Sequence, residues 1–382
     1  MSAQKICIIG DGLAGLSTAI ILSQENIKVD LYVGNSKKKK LKNNSRTTAI
    51  SESSYQFIKS KLKIKNSDIF WPSKVINLFF EDKKKIKSFL RFKENKKNLM
   101  YIFQNKEFKK QLDKKILKKK NINLIKKNIT DINYKDGTIL LNKKQFSYDL
   151  IILSTGSQSN LYNKISKRRS IVKNYKEVAL TTTIKHRSKI NEVSQFFLKE
   201  GPLAILPFGK NIFSVVWSVS DSFFNKNKKL MKNILDHKIK ILLKKPRIKI
   251  TDNIQSFPIN LNLKTKYFKE NILILGDGLH SVHPMAGQGF NLVLRDIKKL
   301  SELISKTLKL GLLFKNSFLL EDFYHARKPE NTILGLGINL TNLFFKENKY
   351  FAPMRKIILS NINNFKFIKK ISQTISNKGI SV

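Results

Sequence analysis

Residues 5–33 constrain the fold of this chain more than any other stretch. Lys5-Ile6-Cys7-Ile8-Ile9 is a short apolar run that reads as a strand, and Gly10-Asp11-Gly12-Leu13-Ala14-Gly15 follows it. A helical pattern then runs from Leu16 to Glu25, and Ile27 to Val33 alternates like a second strand. Glycines at this spacing between a strand and a helix have a mechanical meaning. The first allows the turn, the second lets backbone approach a pyrophosphate, and the third packs helix on strand. The unit therefore predicts a βαβ start that binds a dinucleotide through Gly10, Gly12, Leu13, Ala14 and Gly15. One customary part is missing: Val33 and Gly34 stand where an acidic residue would hold the adenosine ribose.

A second glycine-rich stretch lies far along the chain. Four apolar residues, Ile272 to Leu275, run into Gly276-Asp277, which reads as a buried strand ending in a carboxylate. Pro284 follows, then Gly287-Gln288-Gly289-Phe290-Asn291, then a helical pattern through Leu300. A proline turn and two glycines opening a helix bring N–H groups close to an anion or a polarised ring edge. These parts would grip a flavin, with Asp277 on the ribityl chain and the helix start at the pyrimidine edge. The positive end of the helix would favour the charge that a reduced flavin carries there. An ordinary strand–loop–helix is the plainer reading of the same residues.

The 382 residues allow two domains, or one large domain with an insertion. Hydrophobic residues make up 41%, enough for a packed core rather than general disorder. The single cysteine, Cys7, excludes a disulfide framework or a cysteine metal site and reads as a core filler. The start of the chain runs directly into a strand, with no room for a signal peptide, and no apolar run approaches the roughly 20 residues of a membrane span. A cytoplasmic protein is expected, either soluble or peripheral on the inner face of the membrane. The formal charge of +47 could attract nucleic acid or anionic lipid. The lysines are dispersed, however, and Lys, Asn and Ile abound throughout, which an AT-rich coding sequence produces by itself. No nucleic-acid partner is expected, and an anionic membrane surface stays open.

Elsewhere, Ser45-Arg46-Thr47-Thr48-Ala49-Ile50 precedes a helical stretch, and Tyr101-Ile102-Phe103-Gln104-Asn105 opens a helix over 106–118. Residues 71–92 read as strands of an inserted sheet, and Asn121 to Leu141 as short strands around an Asp136-Gly137 turn. Tyr148 to Ser154 is a buried strand closed by Thr155-Gly156-Ser157. Tyr175 to Lys185 and Phe213 to Val219 are strand-like, the segment 223–243 has helical spacing, and 247–262 is extended. Beyond Leu300 the chain is helical, with Ile333, Leu336, Leu340, Leu343 and Phe344 at a helix-face spacing. Ile357 to Ile371 repeats this less regularly with basic residues interleaved. That end would pack on the domain or form a basic, apolar docking surface.

The predicted fold is α/β. A Rossmann-like cofactor domain is assembled from 1–68, 101–174 and 262–330, with a mostly antiparallel substrate domain from 69–100 and 175–261 and a helical end at 331–382. With these residues in hand, the chain resembles the aromatic-ring flavoprotein monooxygenases, and among them the ubiquinone-biosynthesis FAD-dependent hydroxylases, whose FAD domain is para-hydroxybenzoate-hydroxylase-like. The resemblance rests on Gly10–Gly15, Arg46-Thr47-Thr48-Ala49-Ile50, Gln104-Asn105, Gly201-Pro202-Leu203-Ala204-Ile205-Leu206-Pro207, Gly276 through Asn291, and Leu294-Arg295-Asp296. It implies FAD, NADH or NADPH as co-substrate, and dioxygen activated as a flavin C4a-hydroperoxide. The implied reaction hydroxylates a polyprenylated phenol or quinol alongside other quinone-biosynthesis proteins. It also implies that Arg46 and Gln104 contact the cofactor and that Pro284, Gly287, Gln288, Gly289 and Asn291 line the isoalloxazine. His283 is a weak catalytic candidate that could equally shape the turn. Three departures stand out: Ser154-Thr155-Gly156 where the family has Ala-Asp-Gly, Val33, and Val293 where a small residue is usual. These keep a second reading open, a degenerate member serving as a scaffolding or binding subunit; another flavin oxidoreduction is a third.

Overall fold

A computed structural model describes residues 4–25, 27–34, 46–64, 69–83, 85–129, 131–141, 144–157, 159–162, 165, 170–188, 190–244, 247–346, 355, 358 and 366–379. Six strands form the first sheet: β1 (Lys5–Ile9), β2 (Lys28–Val33), β8 (Ile122–Lys126), β12 (Leu150–Leu153), β19 (Phe268–Lys269) and β20 (Ile272–Ile274). Their order is β19-β20-β12-β1-β2-β8, and every pairing is parallel except the β19–β20 hairpin. Parallel strands are covered on both faces, so they read as continuous apolar runs. β2 is such a strand: Val29, Leu31 and Tyr32 are all buried, and the apparent alternation came from one buried carboxylate. Asp30 lies inside and is answered by the Tyr148 hydroxyl at 2.7 Å and Lys5 Nζ at 2.9 Å.

The chain leaves β1 toward β2 and β8, then returns to β12 and β20 on the other side of β1. The strand order therefore reverses at β1. A crevice opens beyond the carboxyl ends of β1 and β12, where open α/β sheets bind ligands. Helix α1 (Leu13–Leu22) starts in that crevice, three residues earlier than the pattern suggested. It ends before Glu25 because Ser23 turns its hydroxyl back onto the Ile20 carbonyl at 2.9 Å.

Helices α2 (Glu52–Leu62) and α3 (Asn105–Ile116) complete this layer with a small sheet of β3 (Thr47–Ser51), β4 (Trp71–Ser73) and β7 (Met100–Gln104). A meander of β9 (Asp131–Asn133), β10 (Thr138–Leu141) and β11 (Lys144–Ser147) carries the predicted Asp136-Gly137 turn. The second large sheet has nine strands. They are β5 (Val75–Asp82), β6 (Lys85–Lys93), β13 (Ser170–His186), β14 (Val193–Leu198), β15 (Gly201–Gly209), β16 (Ile212–Ser220), β17 (Ile248–Ile250), β18 (Gln255–Lys264) and β21 (His280–Ser281). It is antiparallel apart from β5 on β14. β13 runs through the division expected at 174/175.

The segment 223–243 is two helices, α4 (Asp221–Asn227) and α5 (Met231–Leu243), rather than one. Asn227 Nδ2 donates to the Phe223 carbonyl at 2.9 Å and competes with helix propagation. The break rephases Met231, Leu235 and Ile239 onto Trp217 and Val219 in the core of this sheet. Helix α6 (Gly289–Lys309) carries a buried stripe from Leu292 to Thr307, and α7 (Leu319–Phe345) crosses the division expected at 330/331. Along α7, Leu336 and Phe344 pack on the large sheet while Ile333 and Leu340 are exposed. Helix α8 (Lys366–Lys378) is the last element; Ile357 and Ile362 of the apolar pattern lie outside the described residues. Among the described residues, no helix is long and apolar enough to cross a membrane.

Candidate active site

The turn from β1 into α1 can be read glycine by glycine. A Cβ on Gly10 would lie 2.3 Å from the Ser154 carbonyl oxygen, and one on Gly15 would lie 2.1 Å from the Gly10 carbonyl oxygen. Gly10 also has φ +126°, which L side chains rarely adopt. The protein itself thus requires the first and third glycines. Gly12 is different: its φ is ordinary at −73° and an added Cβ would meet nothing within 4 Å. No contact within the chain excludes a side chain there, so the bare backbone leaves open space in front of the helix start. The start of α1 has no side-chain cap and no acidic residue in its first turn, so its first N–H groups and positive end are left to that space. Ser154 Oγ, at the end of β12, is buried without a partner in the same crevice.

The second glycine-rich turn meets the first. β20 stops at Ile274, and Asp277 sits in a one-turn 3₁₀ segment, Gly276–Gly278, rather than at the strand end. Gly276 has φ +80°, and a Cβ there would come within 2.9 Å of Ala14 Cβ at the start of α1. This close approach leaves the Asp277 carboxylate exposed beside the crevice. Behind it, Tyr162 packs its ring against Gly278 and accepts a hydrogen bond from the Thr155 N–H at 3.0 Å. Burial, reinforced by the nearby Asp277 charge, pushes the Tyr162 hydroxyl up to about 12, so it stays protonated. Tyr162 and Thr155 Oγ1 are 2.9 Å apart. No sequence signal marked Tyr162; it is a single aromatic in a polar stretch.

Arg46 lies across the crevice with its guanidinium 4.0 Å from the Phe257 ring centroid, and its charge interacts with that of Asp277. Burial lowers its pKa and Asp277 opposes the shift. The Arg46 carbonyl accepts from Asn105 N at 3.0 Å, and Thr47 pairs with Gln104 across β3 and β7. Arg46 and Gln104, distant in sequence, are therefore neighbours at the mouth of α3.

Pro284 leads into a second 3₁₀ turn, Met285–Gly287, that ends against β3, where a Cβ on Gly287 would lie 3.0 Å from Ala49 Cβ. Asn291, in the first turn of α6, accepts from Ser51 N at 2.9 Å and donates to the Gly287 carbonyl at 3.1 Å. Its side chain is 1% exposed and spent on tying β3 to α6. Gln288 and Gly289 remain half-buried at the helix start. His283 is fully buried: its Nδ1 accepts from Met285 N at 3.2 Å, and its Nε2 lies 3.0 Å from Glu177 Oε2. That network puts the proton on Nε2, so both ring nitrogens are engaged and His283 positions the turn. Glu177 also pairs with Lys346. Burial alone would raise the Glu177 carboxyl, but the bonds from His283 and Lys346 outweigh it and hold it low.

The run Leu294-Arg295-Asp296 acts at one remove. Asp296 is fully buried and receives His280 Nε2 at 2.6 Å and Arg327 Nε at 2.7 Å, while Arg327 also pairs with Glu330. Burial would raise its carboxyl, and the charges of Arg327 and His280 reverse that, leaving it below the usual range. This cluster bolts α6 to α7. Arg295 Nη2 donates to the carbonyls of Ile375, Ser376 and Asn377 at 3.4, 3.1 and 3.4 Å, which closes the C-terminus of α8. Between α8, β3 and the β5–β6 pair lies a cavity of about 300 Å³ whose lining includes Gln288 and Asn291.

A profile of the FAD binding domain matches residues 162–311, and one described as glucose inhibited division protein A matches residues 5–207. The mitochondrial ubiquinone biosynthesis monooxygenase COQ6 of Dictyostelium discoideum is 27% identical over 341 residues, 74% of this chain and 68% of that protein. The ubiquinone hydroxylase UbiL of Rhodospirillum rubrum is 27% identical over 208 residues, covering 52% of this chain and 47% of that one. The chain thus spans two thirds of the first relative and about half of the second. Among solved structures, PqsL of Pseudomonas aeruginosa in complex with 2-aminobenzoylacetate superposes with a TM-score of 0.74 at 14% identity, covering 92% of this chain and 99% of that one. This last likeness is one of fold.

Proposed function

This chain belongs to the FAD-dependent hydroxylase family of ubiquinone biosynthesis, and from that premise we propose that it hydroxylates the ring of a polyprenylated phenol or quinol on the route to ubiquinone. The observation that carries the reading is the open space before Gly12, closed on one side by the Gly276–Asp277 turn. The residues present fit FAD: α1 would take the pyrophosphate on Gly12, Leu13 and Ala14, and Asp277 would accept from ribityl hydroxyls. Arg46 and Gln104 would hold the cofactor from the β3–β7 side, and Pro284, Gly287, Gln288 and Gly289 would border its ring. Asn291 and His283 would support that border from behind. Bound there and reduced by NADH or NADPH, FAD would supply activated dioxygen for transfer of one oxygen atom to an electron-rich ring. The chain's own share is to orient the two rings, keep water out, and offer the positive end of α6 to developing negative charge.

A scaffolding role without catalysis is the second reading, and two observations favour it. Thr155 stands where the family carries a carboxylate and its side chain is taken up by Tyr162. At the end of β2, Val33 and Gly34 offer no carboxylate to a ribose. Purified protein separates the two readings. A yellow protein bleached by NADH or NADPH and reoxidised by air supports the hydroxylase; folded, colourless protein that refuses added FAD excludes it. Work on an anionic inner-membrane surface would suit the basic chain and a lipid-tailed substrate.

A further inference from the structure

We infer that the outward face of α7 is a docking surface for an anionic lipid bilayer, lying flat at the interface with its apolar side chains among the acyl chains. The inference builds on the hydroxylase reading for its purpose, access to a ring with a lipid tail. The surface itself is argued from α7 and its neighbours. Charged residues make up 26% of this chain, yet the fifteen from Asn331 to Phe345 include no acid and no base. The inner side of the helix explains part of that run. Gly335 rests on Leu263 of β18, Asn342 is buried, and Ile338 and Phe345 join the cluster around Met285 in the turn proposed to border the flavin. Nothing inside the protein explains the outer side. Ile333 and Leu340 are 55% and 63% exposed, and Ile171 is exposed on β13 opposite Leu263. Positions 333, 337, 340 and 341 share one helix face, and all four are exposed. The hydroxyl on this face is already satisfied: Thr341 Oγ1 donates to the Gly337 carbonyl at 2.8 Å, so taking it out of water leaves no unpaired donor.

Charge decides which partner fits. Lys173 flanks the helix, with Nζ 3.2 Å from Asn339 Oδ1. Lys346 and Arg355 stand at its C-terminal end, where Arg355 Nη1 donates to the carbonyls of Phe344, Phe345 and Lys346 at 3.4, 3.2 and 2.9 Å. The nearby carboxylates of Glu177 and Glu330 are buried and paired, with Lys346 and Arg327 respectively. An uncharged apolar stripe with cations at its edge matches acyl chains bordered by phosphates, and lysine stems can lie on apolar surface while their heads reach those phosphates. A second copy of this chain would instead bring lysine against lysine. Since the same helix packs on Met285, docking here holds the flavin-bordering turn one helix away from the lipid.

The test uses the FAD-loaded full chain and substrate-free vesicles of phosphatidylcholine, with or without phosphatidylglycerol. The chain's single cysteine, Cys7, is buried, so a thiol-reactive dye on Leu340→Cys reports that position alone. A polarity-sensitive dye there should brighten and shift to the blue on anionic vesicles. The same dye on Ile241→Cys, 55% exposed on α5, should stay in water. Ile333→Ser with Leu340→Ser should weaken vesicle binding by about tenfold or more at unchanged net charge. Leu230→Ser with Ile241→Ser removes two equally exposed apolar side chains elsewhere and should leave it unchanged. That pair separates this face from the general attraction of a chain of charge +47. No binding to anionic vesicles at low salt, equal losses in the two double variants, or a dye at 340 that stays in water overturns the inference. The dye result stands even where a double variant fails to fold. Oxygen transfer to a prenylphenol with the dye at 340 still in water would sink this inference and leave the hydroxylase reading intact; insertion without any oxygen transfer would do the reverse.

Discussion

Gly12→Ala separates what the fold needs from what a cofactor needs. An added methyl meets nothing within 4 Å, and φ −73° with ψ 174° suits alanine. Alanine loses less chain entropy on folding than glycine, which stabilises by about 0.4–1 kcal/mol. It is also a poorer residue at a helix N-cap, at a cost of up to ~1 kcal/mol. The two nearly cancel, so the unfolding midpoint of the cofactor-free protein should move by no more than a few degrees. The methyl would nonetheless occupy the space in which a pyrophosphate must approach the N–H groups of α1. Losing one hydrogen bond to a charged group costs roughly 1.5–3 kcal/mol, or about ten- to a hundredfold in FAD affinity. Circular dichroism of the apoprotein and FAD fluorescence quenching measure the two quantities separately. Gly15→Ala is the control: with a Cβ 2.1 Å from the Gly10 carbonyl oxygen it should fail at the level of folding. Unchanged FAD affinity in Gly12→Ala, or unfolding as severe as that of Gly15→Ala, would show that Gly12 is not kept bare for a pyrophosphate.

Arg46→Ala should weaken FAD by about 1.5–3 kcal/mol while thermal stability falls by only the ~0.5–1 kcal/mol of its stacking on Phe257, read from the same pair of assays. Asp296→Asn should destabilise the fold by about 1–3 kcal/mol, because Arg327 keeps Glu330 while its Nε and His280 lose the buried carboxylate; a chemical-denaturation shift under ~0.5 kcal/mol would contradict this. Glu177 and Asp296 both have carboxyls held below their ordinary range. A depressed folded-state pKa gives stability that is present above the unfolded value, roughly pH 4, and lost as pH falls through the folded one. The melting temperature should therefore drop steeply below about pH 4, and Glu177→Gln should flatten that drop.

Both glycine turns were legible because their demands are local. Gly10 and Gly15 each lie against a backbone carbonyl, and Gly276 turns at φ +80° against Ala14, so all three leave room for glycine alone and record this in the sequence. The parallel sheet was legible for a similar reason: strands covered on both faces are apolar throughout, and Ile151 to Leu153 and Ile272 to Ile274 are. The partners of the candidate site residues were not legible. Phe257 beneath Arg46, Tyr162 behind Asp277 and Glu177 against His283 arrive from other elements, and no periodicity encodes such meetings. The break at Asn227 was overlooked although the sequence carries a sign of it: five polar residues, Asn225 to Lys229, separate Phe223 and Phe224 from the apolar positions that begin at Leu230. Asp296 entered only through the family resemblance; its burial with His280 and Arg327 shows that it secures one helix on the next.

The most direct test supplies the FAD-loaded protein with NADH or NADPH, a short-chain prenylphenol and isotopically labelled dioxygen, and weighs the product by mass spectrometry. The product should be a ring bearing one new oxygen atom that carries the label. Reductant consumed with only hydrogen peroxide formed, or a product whose new oxygen comes from water, would contradict it.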